Sequence, residues 1–314
     1  MAAIFYNIFT IFAMVIIGYI CCKTKVLPFE ANEHLISLLI NVTSPCLLIT
    51  SITSKELTDE LFVSTVQMLV GTAVYFAVGF IVAYGIVRML KVPGEDTGLY
   101  TMMLTAQNTG FMGFPVSKAA FGNEGLYYMV LSNILLNVYM YTAGMVQIRI
   151  GGERKKLNIR KLMGSMLNMC SVSAIIGIIM LFLGIKLPAF LFDVMTPIGE
   201  ANIPISMIVL GVQLAESDVL KIIKNVKLVI ITVISLTVWP LLTFLAVNWL
   251  PLYSSVKLIM VYASAFPTIV MIVAIAAREN KNASLAAESV ALSTLFSILT
   301  LPVATALLSA YYGV

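Results

Sequence analysis

Two stretches of this 314-residue sequence combine helix-breaking residues with small polar side chains. The first reads Asn-Thr-Gly-Phe-Met-Gly-Phe-Pro over 108–115, and the second reads Ser-Ala-Phe-Pro over 264–267. Proline removes a backbone donor and clashes with the preceding helical turn, so each stretch should interrupt its helix. A half-helix that restarts at Pro115 or Pro267 presents free N–H groups that favour negative charge. The chemistry predicted here is binding of a small anion such as a carboxylate.

Polar and small residues around the two breaks are the candidate substrate contacts. The set predicted to bind substrate is Asn108, Thr109, Gly113, Pro115, Lys118, Asn202, Ser264 and Pro267. A second set either lines the same site or bonds a neighbouring helix, and it comprises Asn41, Asn133, Asn137 and Asn168. Asn133 and Asn137 share a helix face, since they are one turn apart, and bonding between helices is slightly favoured for them.

Lys118 lies one turn beyond Pro115, and two interpretations of it stay open. A charge at the centre of a bilayer costs about 2.5–3.5 kcal/mol. A cation near helix N-termini gains nothing from their dipoles unless an anion shares the site. Lys118 therefore either faces a bound anion or extends to the membrane interface.

The elements that must position these residues are membrane helices. The sequence is 60% hydrophobic and 11% charged, whereas soluble domains are about a quarter charged. Apolar runs long enough to cross a bilayer predict an all-α membrane protein of ten spans, because a helix satisfies its own backbone in lipid. The predicted spans are 4–22, 35–53, 61–87, 98–121, 125–148, 162–185, 190–214, 226–248, 256–277 and 287–311. The four cysteines and single histidine lack metal-site spacing, so no metal or cofactor is predicted.

The basic residues predict the orientation of the spans. Fifteen of the nineteen Lys and Arg residues follow odd-numbered spans: Lys23, Lys25, Arg88, Lys91, Arg149, Arg154, Lys155, Lys156, Arg160, Lys161, Lys221, Lys224, Lys227, Arg278 and Lys281. Because basic loops remain in the cytoplasm, both termini should lie outside. Residues 149–161 should form a cytoplasmic linker between a first repeat, 1–148, and a second repeat, 162–314.

The two five-span halves should be inverted repeats, because an odd number of spans reverses the second half. Phe-Pro pairs lie within spans 4 and 9. Asn41 and Pro45 in span 2 are echoed by Asn202 and Pro204 in span 7. Interrupted helices at matching places in two halves are a sequence indicator of a transporter binding site. Breaks are therefore predicted in spans 2, 4, 7 and 9, with those of spans 4 and 9 crossing.

The stretch 108–115 resembles the span 4 motif of the auxin efflux carrier family, which includes plant auxin exporters and bacterial permeases for malate and malonate. Phe-Pro-Thr-Ile-Val at 266–270, Ala-Arg-Glu-Asn at 277–280 and Leu-Pro at 301–302 are similar to its later motifs. Asn168-Met169 departs from the Asn-Pro that the family often has in span 6. The long cytoplasmic loop of many plant members is absent, which favours the compact bacterial form over an auxin exporter.

The resemblance implies a ten-helix fold like that of bile-acid sodium symporters. Spans 1, 2, 6 and 7 would form a scaffold, and spans 3–5 and 8–10 would form a mobile transport domain. It also implies substrate contact by Asn108, Pro115 and Pro267, and a homodimer joined through the scaffold.

The function expected is a secondary carrier that moves a small organic anion across the cytoplasmic membrane by an elevator mechanism. An anion channel is an alternative, because broken helices also line pores. A membrane-embedded enzyme is less favoured, since His-Glu-x-x-His and Gly-x-Ser-x-Gly are absent from the sequence. A transport-like sensor would need an output domain. The breaks lack clustered carboxylates, which favours a uniporter or a potential- or proton-linked carrier over sodium coupling.

Overall fold

The computed structural model describes residues 2–152, 168–218 and 222–313. Within them the regular structure is helical, apart from one isolated β-bridge, which confirms the all-α prediction. In chain order the helices are α1 Ala2–Lys23, α2 Ala31–Thr53, α3 Asp59–Met89, α4 Thr97–Thr105, α5 Gly113–Tyr141, α6 Ala143–Ile148, α7 Met169–Phe182, α8 Ala189–Ala215, α9 Val226–Asn248, α10 Ser254–Ser264, α11 Met271–Arg278 and α12 Ala283–Tyr312.

Among the described residues, six stretches are long and apolar enough to cross a membrane: Tyr6–Lys23 within α1, and all of α2, α3, α8, α9 and α12. Their outward faces carry large apolar side chains, such as Ile81 and Leu299, as contact with lipid requires. Spans 4, 5 and 9 are divided into shorter helices. The start of span 6 and most of the 149–161 linker lie outside the described residues, so the count of ten spans stays a prediction.

Spans 4 and 5 form an antiparallel pair that turns at Gly122. The φ of Gly122 is 64° and its ψ is −156°, a conformation that glycine adopts without a steric penalty. Residues before Gly122 contact residues after it in reverse order along the chain. Gly98 abuts the carbonyl of Gln147, and further along, Gly113 abuts Met129. The turn therefore lies at the boundary predicted between spans 4 and 5.

Span 2 is not broken, which contradicts the prediction from its proline, and in span 7 the interruption is a single turn residue, Ala201, between the segments Ala189–Glu200 and Asn202–Ala215. In α2 a wide π-helical turn at Leu39–Thr43 precedes Pro45, which is the second residue of the segment Ser44–Thr53. Pro204 is the third residue of the segment Asn202–Ala215 in α8. Near the start of a helical segment a missing N–H costs little, so both helices continue past their prolines.

Contacts between loops confirm that the loops after spans 3, 5, 7 and 9 share one face. Arg149 Nε lies 2.6 Å from Glu279 Oε2. Lys281 Nζ donates to the Glu95 carbonyl at 2.5 Å, and Lys227 Nζ donates to the carbonyl of residue 91 at 2.8 Å.

Glycines allow α1 and α8 to approach closely. A Cβ atom on Gly18 would lie 2.3 Å from the Ile208 carbonyl oxygen, and one on Gly211 would lie 2.1 Å from the Val15 carbonyl oxygen. Small residues at such crossings let membrane helices pack backbone against backbone. The two helices are thereby held as one unit.

Gly211→Ala should destabilise the protein by about 1–3 kcal/mol, because the added methyl group forces α1 and α8 apart. The measurement is the melting temperature of the purified protein in mild detergent. Gly85→Ala is the matched control, since its Cβ would have no atom within 4 Å, and it should leave the melting temperature unchanged or slightly raised. Equal melting temperatures for Gly211→Ala and wild type would show that this close packing is absent.

Candidate functional site

The breaks in spans 4 and 9 contact each other through their backbones. α4 ends at Thr105 and α10 ends at Ser264, and the chain is not helical again until α5 and α11. Between them, the amide of Asn108 donates to the Pro267 carbonyl at 2.7 Å, and the amide of Ile269 donates to the carbonyl of residue 106 at 2.9 Å. The predicted meeting of the two breaks is confirmed. Each break satisfies backbone groups that the other leaves unpaired.

The two prolines occupy different places in this arrangement. Pro115 is the third residue of α5, close to the predicted restart. Pro267 lies within the break, four residues before α11 begins at Met271, so the prediction that a helix restarts at Pro267 is wrong. Its carbonyl accepts a bridge hydrogen bond, a role in which its missing N–H is not needed. The two Phe-Pro pairs do not occupy equivalent positions. The bridge joins Gln107 to Thr268, so Pro267 is next to the bridge, whereas Pro115 lies eight residues beyond it.

Asn108 combines burial with an unused donor. The residue is 1% exposed. Its side-chain oxygen accepts from the Phe111 amide at 3.2 Å, and its carbonyl accepts from the Gly113 amide at 3.0 Å. Its side-chain nitrogen is buried and has no hydrogen-bond partner among the described residues. Leaving a buried donor unpaired costs about 1–3 kcal/mol, so this position favours a bound acceptor.

Two asparagines of span 5 lie beside the same break. Asn133 Nδ2 donates to Thr109 Oγ1 at 2.9 Å, and Asn137 Nδ2 donates to Asn133 Oδ1 at 3.1 Å. They bond to one another and to the break, so both lie beside it, and these hydrogen bonds do not join α5 to a neighbouring helix. Gly113 is confined, since a Cβ there would lie 3.2 Å from the sulfur of Met129.

A small cavity with both polar and apolar walls adjoins the paired breaks. Its volume is about 10 Å³, which is room for about one water molecule, and its lining includes Thr72, Gln107, Thr109 and Ser132. The hydroxyl of Thr72 is buried without a partner among the residues described. A bound solute would therefore require the surrounding helices to move apart.

A chain of hydrogen bonds that the sequence did not predict holds the first break. Trp239 Nε1 donates to the Tyr75 hydroxyl at 2.7 Å, and this hydroxyl donates to Gln107 Oε1 at 3.0 Å. Gln107 Nε2 then donates to the Leu104 carbonyl at 2.5 Å. Gln107 directly precedes Asn108 in the sequence, so its position beside the 108–115 motif could have identified it. Tyr75 and Trp239 lie in long apolar runs and carry no signal of their own.

Lys118 lies in a cleft between α5, α2 and α8. Its ammonium is 3.5 Å from Glu200 Oε1, and the side chains are 24% and 61% exposed, respectively. Its pairing with an acidic residue of α8 was not among the interpretations drawn from the sequence. We refer below to this space as the Lys118 cleft, and its lining is Leu47, Thr50, Ser51, Ser54, Lys118, Asn123, Leu126, Phe192, Thr196 and Glu200.

The structure uses Asn202 and Asn41 away from the breaks. Asn202 Nδ2 donates to Ser44 Oγ at 2.8 Å and to Thr43 Oγ1 at 3.1 Å, which ties α8 to α2. Asn41 is exposed on α2 and bonds to Ser37 at 2.9 and 3.1 Å.

Asn168 and Ser264 make local hydrogen bonds. Asn168 caps α7, with its side-chain oxygen accepting from the Ser171 amide at 2.9 Å. Ser264 is fully buried at the edge of the second break, and its hydroxyl donates to the Val261 carbonyl at 2.6 Å. Neither of these two hydrogen bonds reaches the bridge between Gln107 and Thr268.

Long apolar helices combined with two broken helices whose backbones pair are features of a membrane transporter. A family model described as "Membrane transport protein" matches residues 3–305. The chain belongs to this family, the auxin efflux carrier family that its motifs resemble.

Curated relatives agree with this membership. The chain is 25% identical to an uncharacterized transporter of Methanocaldococcus jannaschii, over 92% of this chain and 93% of the relative. It is 22% identical to an uncharacterized transporter of Methanothermobacter thermautotrophicus, over 94% and 95% of the two chains. It is 23% identical to an uncharacterized transporter of Escherichia coli, over the same shares.

Proposed function

We propose that the protein is a secondary carrier that moves a small organic anion, such as a carboxylate, across the cytoplasmic membrane. The observation that supports it best is the buried, unpartnered side-chain nitrogen of Asn108 at the paired breaks. This nitrogen is a donor, and carboxylate oxygens are acceptors only. A hydrogen bond to a charged acceptor is worth about 1.5–3 kcal/mol, which favours an anion over a neutral ligand.

A carrier is favoured over a channel by the small size of the cavity at the breaks. At about 10 Å³ it admits no organic anion, so a solute reaches Asn108 only when helices move. This is the behaviour of alternating access, in which the protein rearranges around a bound solute.

Two sets of helices fit the proposed elevator mechanism. The scaffold set α1, α2, α7 and α8 is packed through glycines, because Gly199 abuts the backbone of Leu47 and Gly177 abuts Ile52. The break-bearing set is tied together by hydrogen bonds, including Thr268 N to Ser293 Oγ at 3.1 Å. We infer that the second set moves against the first.

The sequence separation of the paired breaks supports two inverted halves. Gln107 pairs with Thr268 in an antiparallel bridge. The difference 268 less 107 is 161, and Asn202 less Asn41 gives the same value. One constant offset thus relates positions in two different pairs of spans.

The homodimer implied by family resemblance also stays a proposal. Ser37 and Asn41 are exposed one turn apart on α2, a membrane helix of the proposed scaffold. Polar side chains on such a surface can bond to another membrane helix. A second copy of the chain would provide one.

Asn108→Ala should weaken binding and uptake of carboxylates about tenfold or more, because it removes a hydrogen bond to a charged acceptor. The measurement is uptake of labelled malonate, malate and lactate into proteoliposomes, with expression and melting temperature checked. Asn248→Ala is the matched control, since the Asn248 side chain bonds Tyr312 near the end of α9. Full activity in Asn108→Ala, or wild-type preference for cationic or neutral solutes, would contradict the proposal.

The basic face should be cytoplasmic, with both termini outside, because fifteen of nineteen basic residues follow odd-numbered spans. A cysteine at Gly152 should react with a membrane-impermeant maleimide only from the inside. A cysteine at Ser54 should react only from the outside. Both would be placed on a background without native cysteines, and the reverse pattern would show that the charge count misleads.

A further inference from the structure

The Lys118–Glu200 ion pair lies within the membrane-spanning helices, and Lys118 precedes the turn at Gly122 by four residues, about 6 Å along the helix. Glu200 is the last of the 12 residues of the segment Ala189–Glu200, about 16 Å along the helix from its first residue. Its neighbour Gly199 abuts the backbone of Leu47 in α2, which fixes its depth on a second helix. Ionisable residues at such a depth are costly and commonly mark a solute or ion pathway.

The Lys118 cleft is lined by hydroxyl groups as well as apolar side chains, and it has room for a small solute. Its volume is about 100 Å³, enough for several waters by the measure of one water per about 10–15 Å³. Hydroxyls of Thr50, Ser51, Ser54 and Thr196 line it. The Ser51 hydroxyl is buried and has no partner among the described residues, so it is free to donate to a ligand.

The ion pair itself is loose. At 3.5 Å it exceeds the distance of about 2.7–2.9 Å for a strong charge-assisted hydrogen bond. An ammonium has three donors, and within the described residues Lys118 uses one of them, on Glu200. Lys118 belongs to the proposed moving set and Glu200 to the proposed scaffold. A pair of this kind can be exchanged for another anion without leaving a buried charge unpaired.

We propose that the Lys118 cleft is an outer binding site for a small carboxylate, at which the solute displaces Glu200 from Lys118. The proposal rests on the proposed function as an anion carrier. Glu200 then competes with the solute for the Lys118 ammonium. This competition lowers the affinity of the outer site, so that the solute can move on to the breaks. Glu200 also keeps Lys118 paired when no solute is bound.

The first test is malonate uptake by Glu200→Gln, Lys118→Gln and the double variant in proteoliposomes. Glu200→Gln should lower the apparent KM about two- to fivefold, the effect of removing a weak ion pair. Lys118→Gln should raise the KM, and the double variant should match Lys118→Gln alone. An unchanged or raised KM in Glu200→Gln, or an equal decrease with and without Lys118, would overturn the outer site.

The second test does not depend on transport. Ser54→Cys, at the edge of the cleft, would be introduced after replacing the free cysteines Cys21, Cys22, Cys46 and Cys170. Its reaction rates with an anionic and a cationic methanethiosulfonate reagent report the local potential. Glu200→Gln should raise the anionic-to-cationic rate ratio about threefold, and malonate should slow the anionic reagent.

The two tests separate the outer site from the proposed function. A rate ratio that does not respond to Glu200→Gln, or that responds without protection by malonate, overturns the outer site. Wild-type protein that takes up none of the carboxylates overturns the anion-carrier proposal instead, and the labelling result then decides the outer site independently.

Discussion

A broken helix inside a bilayer leaves backbone N–H and C=O groups that lipid cannot satisfy. This chain meets the constraint by pairing two breaks from distant parts of the sequence, Gln107 against Thr268. Neither break is satisfied alone, so the helices that carry them must be held in register. Tyr75 on α3 and Trp239 on α9 hold the first break, and Ser293 on α12 holds the second. Three other helices therefore hold the paired breaks in place.

The pairing satisfies the backbone groups of the two breaks but leaves some side-chain hydrogen-bonding groups unused. Asn108 retains an unpaired donor, and Thr72 retains an unpaired hydroxyl in the small cavity that adjoins the breaks. The charged groups are held elsewhere, in the Lys118 cleft, where Glu200 balances Lys118. The proposed path for an anion thus runs from a charged outer site with a resident competitor to an inner site of neutral donors. Moving between them exchanges coulombic attraction for directed hydrogen bonds.

The sequence predicted those features that composition and local chemistry determine. Apolar runs marked the long helices, basic residues marked which loops share a face, and the 108–115 motif marked the first break. Asn108 was identified because a polar amide beside a helix break has few alternative roles. These features need no knowledge of which distant residues touch.

Features that depend on pairing between distant segments could not be predicted. Pro267 is compatible with a helix start and with a bridge position, because neither uses its N–H, and only the contact with Asn108 distinguishes them. A π-helical turn absorbs Pro45 in α2 without a break. Tyr75 and Trp239 lie in apolar runs that resemble any membrane helix, and the pairing of Glu200 with Lys118 depends on the packing of α8 against α5, so these roles emerge only from the fold.

The most direct test of the central claim is an experimental structure of the protein bound to the carboxylate that raises its melting temperature most. The account predicts a carboxylate oxygen about 2.7–3.2 Å from Asn108 Nδ2, between the two breaks and with the bridge from Gln107 to Thr268 intact. A ligand bound away from the breaks, with Asn108 Nδ2 donating to a protein group instead, would contradict it.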